Sequence, residues 1–197
     1  MGAVYAAEDE QLNRVVAIKL IRPELVSETA MRVRFEREAQ SIAKAHHPGV
    51  VTLYDSGSTG DGQLYLIMEH LRGLEVGSAL RRFGRASSLQ TARFLRLGAS
   101  ALQAAHEARV IHRDLKPQNP FLVPHLALGF ELKVLDFGIA KTSDSGPHLT
   151  RTGLMMGTPQ YMAPEQMLGA ETDARTDLFA FATVAYEVLT GKQVVSS

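Results

Sequence analysis

The apolar pattern of this chain changes period once, at Leu71-Arg72-Gly73, and that change constrains the fold more than any other feature. Before it, apolar residues come in short β-branched runs; after it, they recur at helical spacing. Strands gathered at one end and helices at the other argue for an α+β chain, with a strand-rich unit over 1–70 and a mainly helical one over 71–197. Gly2 to Ala7 and Val15 to Ile21, joined by the polar stretch Glu8 to Arg14, predict an antiparallel hairpin that Pro23 ends. One helix is inserted at about Glu28 to Ala45, with Phe35, Ala39, Ile42 and Ala43 on its apolar face, and His47-Pro48-Gly49 stops it. Val50 to Tyr54 and Gln63 to Met68 read as two more strands around the turn-forming stretch Ser56 to Gly62.

In the second unit, Phe94, Gly98, Ala101, Leu102 and Ala105 form one stripe of a helix over Ser88 to Arg109. Phe121 to Val123 and Glu131 to Leu135 suggest a small hairpin, with Pro124 to Gly129 as its loop. Asp144 to Gly157 has no periodicity and reads as a long loop, a length usually kept for function. Asp173 to Thr190 is helical and closed by Gly191. That helix is apolar nearly all round, which belongs at the centre of a larger domain. A chain truncated at both ends is therefore expected.

Charge and composition remove several classes of function. The 21 Lys+Arg balance 21 Asp+Glu with no basic run, so neither nucleic acid nor an anionic membrane surface is expected as a partner. The absence of cysteine excludes disulfide frameworks, thiolate–zinc sites and cysteine nucleophiles. No histidine pair has metal spacing, and no signal peptide or bilayer-length apolar run occurs. A cytoplasmic catalytic segment is expected, with any membrane anchor lying in sequence outside it.

The strongest local signal is His112-Arg113-Asp114-Leu115-Lys116-Pro117-Gln118-Asn119. Five specified letters at these offsets arise by chance with a probability on the order of 10⁻⁴ in a chain this long. Asp136-Phe137-Gly138 and Ala163-Pro164-Glu165 follow in that order. With these motifs the sequence resembles the eukaryotic-type protein kinase family. Gly157-Thr158 ahead of Tyr161-Met162-Ala163-Pro164-Glu165-Gln166 is similar to its bacterial Ser/Thr branch. The resemblance implies a two-lobed fold, with a small antiparallel β N-lobe carrying one helix and a mainly helical C-lobe, both incomplete. It also implies phosphoryl transfer from ATP, with Mg²⁺ or Mn²⁺, to Ser/Thr hydroxyls of proteins, including this chain itself in trans.

The residue roles follow from the same resemblance. Phosphoryl transfer needs a protein cation on the phosphates and hard oxygen ligands for the metal. Asp136 and Asn119 supply the oxygens, Asp114 orients the acceptor hydroxyl and takes its proton, and Lys116 reaches the terminal phosphate. Lys19, in Val16-Ala17-Ile18-Lys19, contacts the other phosphates and pairs with Glu38. Gly2 matches the last glycine of the phosphate-covering loop. Val4 and Ala17 roof the adenine pocket, Phe121 floors it, Met68 is the gatekeeper, and Glu69 to Leu71 form the hinge. Thr150 and Thr152 are candidate phosphosites with Arg113 as phosphate partner. Thr158 bridges Asp114 and Lys116, and Glu165 forms a buried structural ion pair with Arg175.

The sequence departs from the family pattern at Pro120, directly after Asn119, where an aliphatic residue is more usual. Proline removes a backbone donor and biases Asn119 toward extended geometry. A pseudokinase or signalling scaffold is the alternative reading. A small-molecule phosphotransferase of related fold is disfavoured by the presence of Ala163-Pro164-Glu165.

Overall fold

The computed structural model describes residues 2–21, 29–137 and 159–194. In the first unit, β1 (Ala3–Asp9), β2 (Arg14–Leu20), β3 (Leu53–Ser58) and β4 (Leu64–Glu69) form an antiparallel sheet in the order β1-β2-β4-β3. The β1–β2 turn is closed by Asp9, whose carboxylate accepts from the Leu12 N–H (3.2 Å) and the Arg14 Nε (3.1 Å). Asn13 takes the left-handed backbone there (φ 46°), a conformation asparagine tolerates better than most residues. Helix α1 (Thr29–Lys44) buries Phe35, Ala39 and Ile42, spaced at i, i+4 and i+7, against Leu64, Leu66 and Met68.

Two expectations shift in this unit. Ala43 is exposed, and Ala45, beyond the helix end, is buried instead. Val50 to Thr52 do not open the third strand, which begins at Leu53. Val50 instead bridges Val134 of the second sheet in parallel, with Val51 N–H donating to Val134 O (3.2 Å) and Val134 N–H to Gly49 O (2.8 Å). The β-branched run was legible as sheet-forming, but its partner lies in the other lobe.

The second unit holds a small sheet, β5 (Leu74–Glu75), β6 (Pro120–His125) and β7 (Gly129–Val134), beside helices α2 (Val76–Phe83), α3 (Ser88–Glu107), α4 (Pro164–Met167) and α5 (Ala174–Thr190). A capping box starts α3, where Ser87 Oγ accepts from the Gln90 N–H (3.3 Å) and Gln90 Oε1 from the Ser87 N–H (2.9 Å). α3 and α5 cross through stacked Phe94 and Phe181, 5.0 Å between centroids. Gly98 makes that crossing possible, because a Cβ there would lie 2.1 Å from the Phe181 ring. The opposite face of α5 leaves Leu178, Phe179, Tyr186 and Leu189 exposed. β5 and α2 have no counterpart in the sequence reading, since Gly73, Gly77 and Gly84 obscure so short a periodic segment.

Pro120 is the first residue of β6, opposite Val134, where a missing N–H is tolerated. The neighbouring bond is made by Asn119, whose carbonyl accepts from the Leu135 N–H (2.9 Å).

Candidate active site

The connection Glu69 to Gly73 joins the last strand of the first unit to the first strand of the second. Strand alternation puts Val4, Ala17, Lys19 and Met68 on one face of the first sheet, because Val4 pairs with Lys19 and Ala17 with Met68 in register. Val4 is exposed, Ala17 and Leu71 half-buried and Met68 buried. Gly2 lies against β2, where a Cβ would collide with the Leu20 carbonyl oxygen. Phe121 comes from β6 of the second sheet.

Between α3 and β6, residues 112–119 form a loop pinned from all sides. The Asn119 N–H donates to Lys116 O (2.9 Å), and Asn119 Oδ1 accepts from the Lys116 N–H (3.0 Å). Pro117 O accepts from the Gly77 N–H (2.7 Å), and Arg113 O from Gln166 Nε2 (2.9 Å). From α5, Asp177 Oδ1 accepts from the Arg113 N–H (2.8 Å), while Oδ2 accepts from the His112 N–H (2.8 Å) and meets His106 Nε2 (2.8 Å). Arg113 itself is held at φ 60°, a strained conformation for a long side chain.

His112 is fully enclosed, its Nε2 2.8 Å from Leu135 O and its Nδ1 3.3 Å from the Asp114 N–H. These bonds suit the neutral ring with Nε2 as donor. Burial pushes the His112 pKa below its ordinary value, against the pull of Asp177, the Leu135 carbonyl, Asp114 and Asp136. Burial also raises the Tyr161 hydroxyl, reinforced by its 2.6 Å bond to Glu187 Oε2.

Charged groups converge above this loop. Lys116 Nζ lies 2.8 Å from Asp114 Oδ2, with both side chains largely buried. Lys19, itself buried, reaches from the first sheet to Asp136 Oδ1 at 2.6 Å. Asp136 sits at φ 57°, directly after Leu135, which bonds Asn119. The carboxylate of Asp136 and the amide of Asn119 therefore project from adjacent backbone. Two oxygen donors suit a cation that takes its other ligands from phosphates and water. Among the described residues no group of three or more His, Asp or Glu could hold a metal by itself.

Two expected pairings are corrected. Lys19 pairs with Asp136 rather than Glu38, and Glu38 Oε1 instead lies 3.6 Å from Arg113 Nη1. Arg175 does not form a buried pair with Glu165: it forks onto Asp173 (2.7 Å) at the exposed start of α5, and Glu165 Oε1 accepts from Thr176 Oγ1 (2.7 Å). Arg175 lies on the helix's outer side, whereas Thr176 faces inward at 1% exposure. Thr150, Thr152, Thr158 and the loop Asp144 to Gly157 lie outside the described residues.

Asp177, His106 and Gln166 received no role from the sequence. Asp177 was detectable, because it shares the buried stripe of Phe181, Val184 and Val188, where an acid with no partner would be costly.

The protein kinase domain model matches residues 1–197. The chain is 41% identical over 194 residues to serine/threonine-protein kinase pkn3 of Myxococcus xanthus, covering 97% of this chain and 36% of that protein. It is 40% identical over 197 residues to serine/threonine-protein kinase PknA of Mycobacterium tuberculosis, covering 98% of this chain and 44% of that protein. The crystal structure of the M. tuberculosis PknI kinase domain superposes with a TM-score of 0.79 at 28% identity, covering all of this chain and 72% of that one. The chain thus spans less than half the length of these curated relatives. No helix among the described residues is long and apolar enough to cross a membrane. By its family model, its relatives and its two-lobed architecture, the chain belongs to the protein kinase domain family.

Proposed function

We propose that 1–70 and 71–197 are the two lobes of one catalytic unit that transfers the terminal phosphoryl group of ATP to Ser/Thr hydroxyls of proteins. The observation that carries the reading is the Lys19–Asp136 contact, which joins the first sheet to the segment after β7, beside the loop that holds the Asp114–Lys116 pair. Bound Mg²⁺·ATP, or its Mn²⁺ counterpart, supplies the phosphoryl group and the cation that neutralises its charge. Asn119 and Asp136 would hold that cation, and Lys19, which lies next to Asp136, would meet the phosphates. Val4, Ala17, Met68 and Phe121 would line an apolar slot for the base, with Glu69 to Leu71 offering backbone groups at its edge. Asp114 turns the acceptor hydroxyl toward the phosphate and accepts its proton, and Lys116 holds the Asp114 carboxylate in place. The pinned loop means that little reorganisation is needed at the moment of reaction.

Arg113 faces Glu38 and is the cation from which a phosphate on Thr150 or Thr152 would draw a contact. These two threonines are proposed as autophosphorylation sites acting in trans.

The test uses the full chain with γ-labelled ATP and a generic Ser/Thr substrate. Asp114→Asn lowers transfer by roughly 10² to 10⁴, the usual share of a general base, and Lys19→Met and Asp136→Ala abolish it. Wild-type protein that binds Mg²⁺·ATP and transfers nothing would establish the scaffold reading instead.

A further inference from the structure

We infer that Lys133 is a positioning residue for the nucleotide, acting through Glu69 to lock the interlobe connection onto the floor of the adenine slot. The inference rests on the kinase reading above. Lys133 Nζ lies 2.6 Å from Glu69 Oε1, with side chains only 13% and 19% exposed. The same oxygen accepts from the Thr52 N–H (2.7 Å), and the Glu69 N–H donates to Thr52 O (3.0 Å). Glu69 is therefore bracketed by the first lobe through backbone bonds and by the second through one ammonium.

The position of Lys133 gives that bond a consequence. In the β6–β7 ladder it stands directly opposite Phe121, so the two side chains are neighbours on one face. It lies three residues before Asp136 on the same stretch of chain. The next residue, Val134, carries the backbone bonds to Gly49 and Val51. One side chain thus ties the last residue of β4 to β7, the strand that pairs with β6 and its floor residue Phe121 and that leads to Asp136. Largely desolvated ion pairs are poor stabilisers compared with apolar packing, and their better-attested use is to fix one register. Here the register is that of hinge backbone against Phe121, and a base bound over Phe121 with its edge at the hinge would read it. A cleft of about 320 Å³ lined by Lys133 with Ala45, Pro48, Thr52 and Leu53 among others gives the lysine stem free space on one side. A shorter or uncharged side chain therefore fits without repacking the core.

The test is steady-state phosphoryl transfer by the full chain, with Mg²⁺·ATP varied, alongside direct titration with Mg²⁺·ATP. Lys133→Met raises KM for ATP between about three- and tenfold, up to about 1.4 kcal/mol of binding, and the change is carried by KM rather than kcat. Glu69→Gln does the same, and the double variant is no worse than either single one, as members of one interaction require. Lys133→Arg restores most of the affinity. Should Lys133→Met fail to fold, the Glu69→Gln and Lys133→Arg pair decides by the same criterion. A KM at the wild-type value, a fully additive double variant, or a lower melting temperature with unchanged KM would overturn the inference. Wild-type protein that does not bind Mg²⁺·ATP would instead refute the kinase reading itself, and that curve is read first.

Discussion

Replacing Asp177 by asparagine perturbs the loop 112–119 from beneath without touching any group proposed to meet substrate. The carboxylate is 1% exposed and serves three partners, the N–H groups of His112 and Arg113 and the imidazole of His106. An amide offers only one oxygen, so either orientation turns an NH₂ group toward a buried backbone N–H. That orphaned donor costs about 1–3 kcal/mol. The surviving bond loses its charge assistance, about another 1 kcal/mol, since ionised partners bond roughly twice as strongly as neutral ones. A total of about 2–4 kcal/mol corresponds to a fall in melting temperature of roughly 5–15 °C for a domain of this size.

The loop also carries strain that this carboxylate restrains. Arg113 at φ 60° holds a conformation worth about 1–3 kcal/mol, and an unpinned loop can relax it. Asp114 is the next residue, so the relaxation appears as a lower kcat for phosphoryl transfer. The assay is a melt plus single-turnover transfer on the full chain, with His106→Gln as control, because that change spares both backbone bonds. A melting temperature within about 2 °C of wild type together with an unchanged rate would refute the reasoning.

His112 makes stability depend on pH. Its folded pKa lies below the ordinary value of 6.5 because the ring is buried, so the unfolded chain binds the proton first. The stabilisation is complete above about pH 6.5 and is lost as pH falls through the folded pKa, at up to about 1.4 kcal/mol per pH unit. Unfolding free energies from pH 7 to 5 should slope more steeply for wild type than for His112→Phe by about one proton; equal slopes would show that burial is not the cause. At the start of α5, Thr176→Val removes the donor to Glu165 and costs about 1.5–3 kcal/mol, as for other bonds to charged groups. Arg175→Ala leaves the melting temperature nearly unchanged, and the opposite ranking in a melt would restore the Glu165–Arg175 pairing.

What could be read in the sequence was what the chain encodes over short distances. The clustering of Asp114, Lys116 and Asn119 was legible because they sit on one turn of chain, where covalent geometry alone keeps them together. The stripes Phe35–Ala39–Ile42 and Phe94–Gly98–Ala101–Leu102–Ala105 were legible because a helix repeats locally. Legibility failed where the partner was distant or the periodic segment short. Val50 and Val51 signalled sheet without saying which sheet. α2, at eight residues, is barely two turns, too few to set an apolar period against its flanking glycines. Arg175 and Thr176 are adjacent, and which of them turns toward Glu165 depends on the helix phase at its first turn, set by the Asp173 cap.

The pairing of Lys19 illustrates the same limit at the centre of the site. Lys19 meets Asp136 and Arg113 meets Glu38, four residues drawn from distant parts of the sequence. Motif spacing identifies all four but cannot choose between the two ways of joining them, because each arrangement makes two ion pairs of like chemistry. The difference lies in desolvation and geometry, terms of a few kcal/mol that vary with a small shift of α1. At 2.6 Å the Lys19–Asp136 contact is the tighter one, and at 3.6 Å the Arg113–Glu38 contact is loose enough to yield. A second cation at Asp136 competes directly with Lys19, and a second anion near Arg113 competes with Glu38.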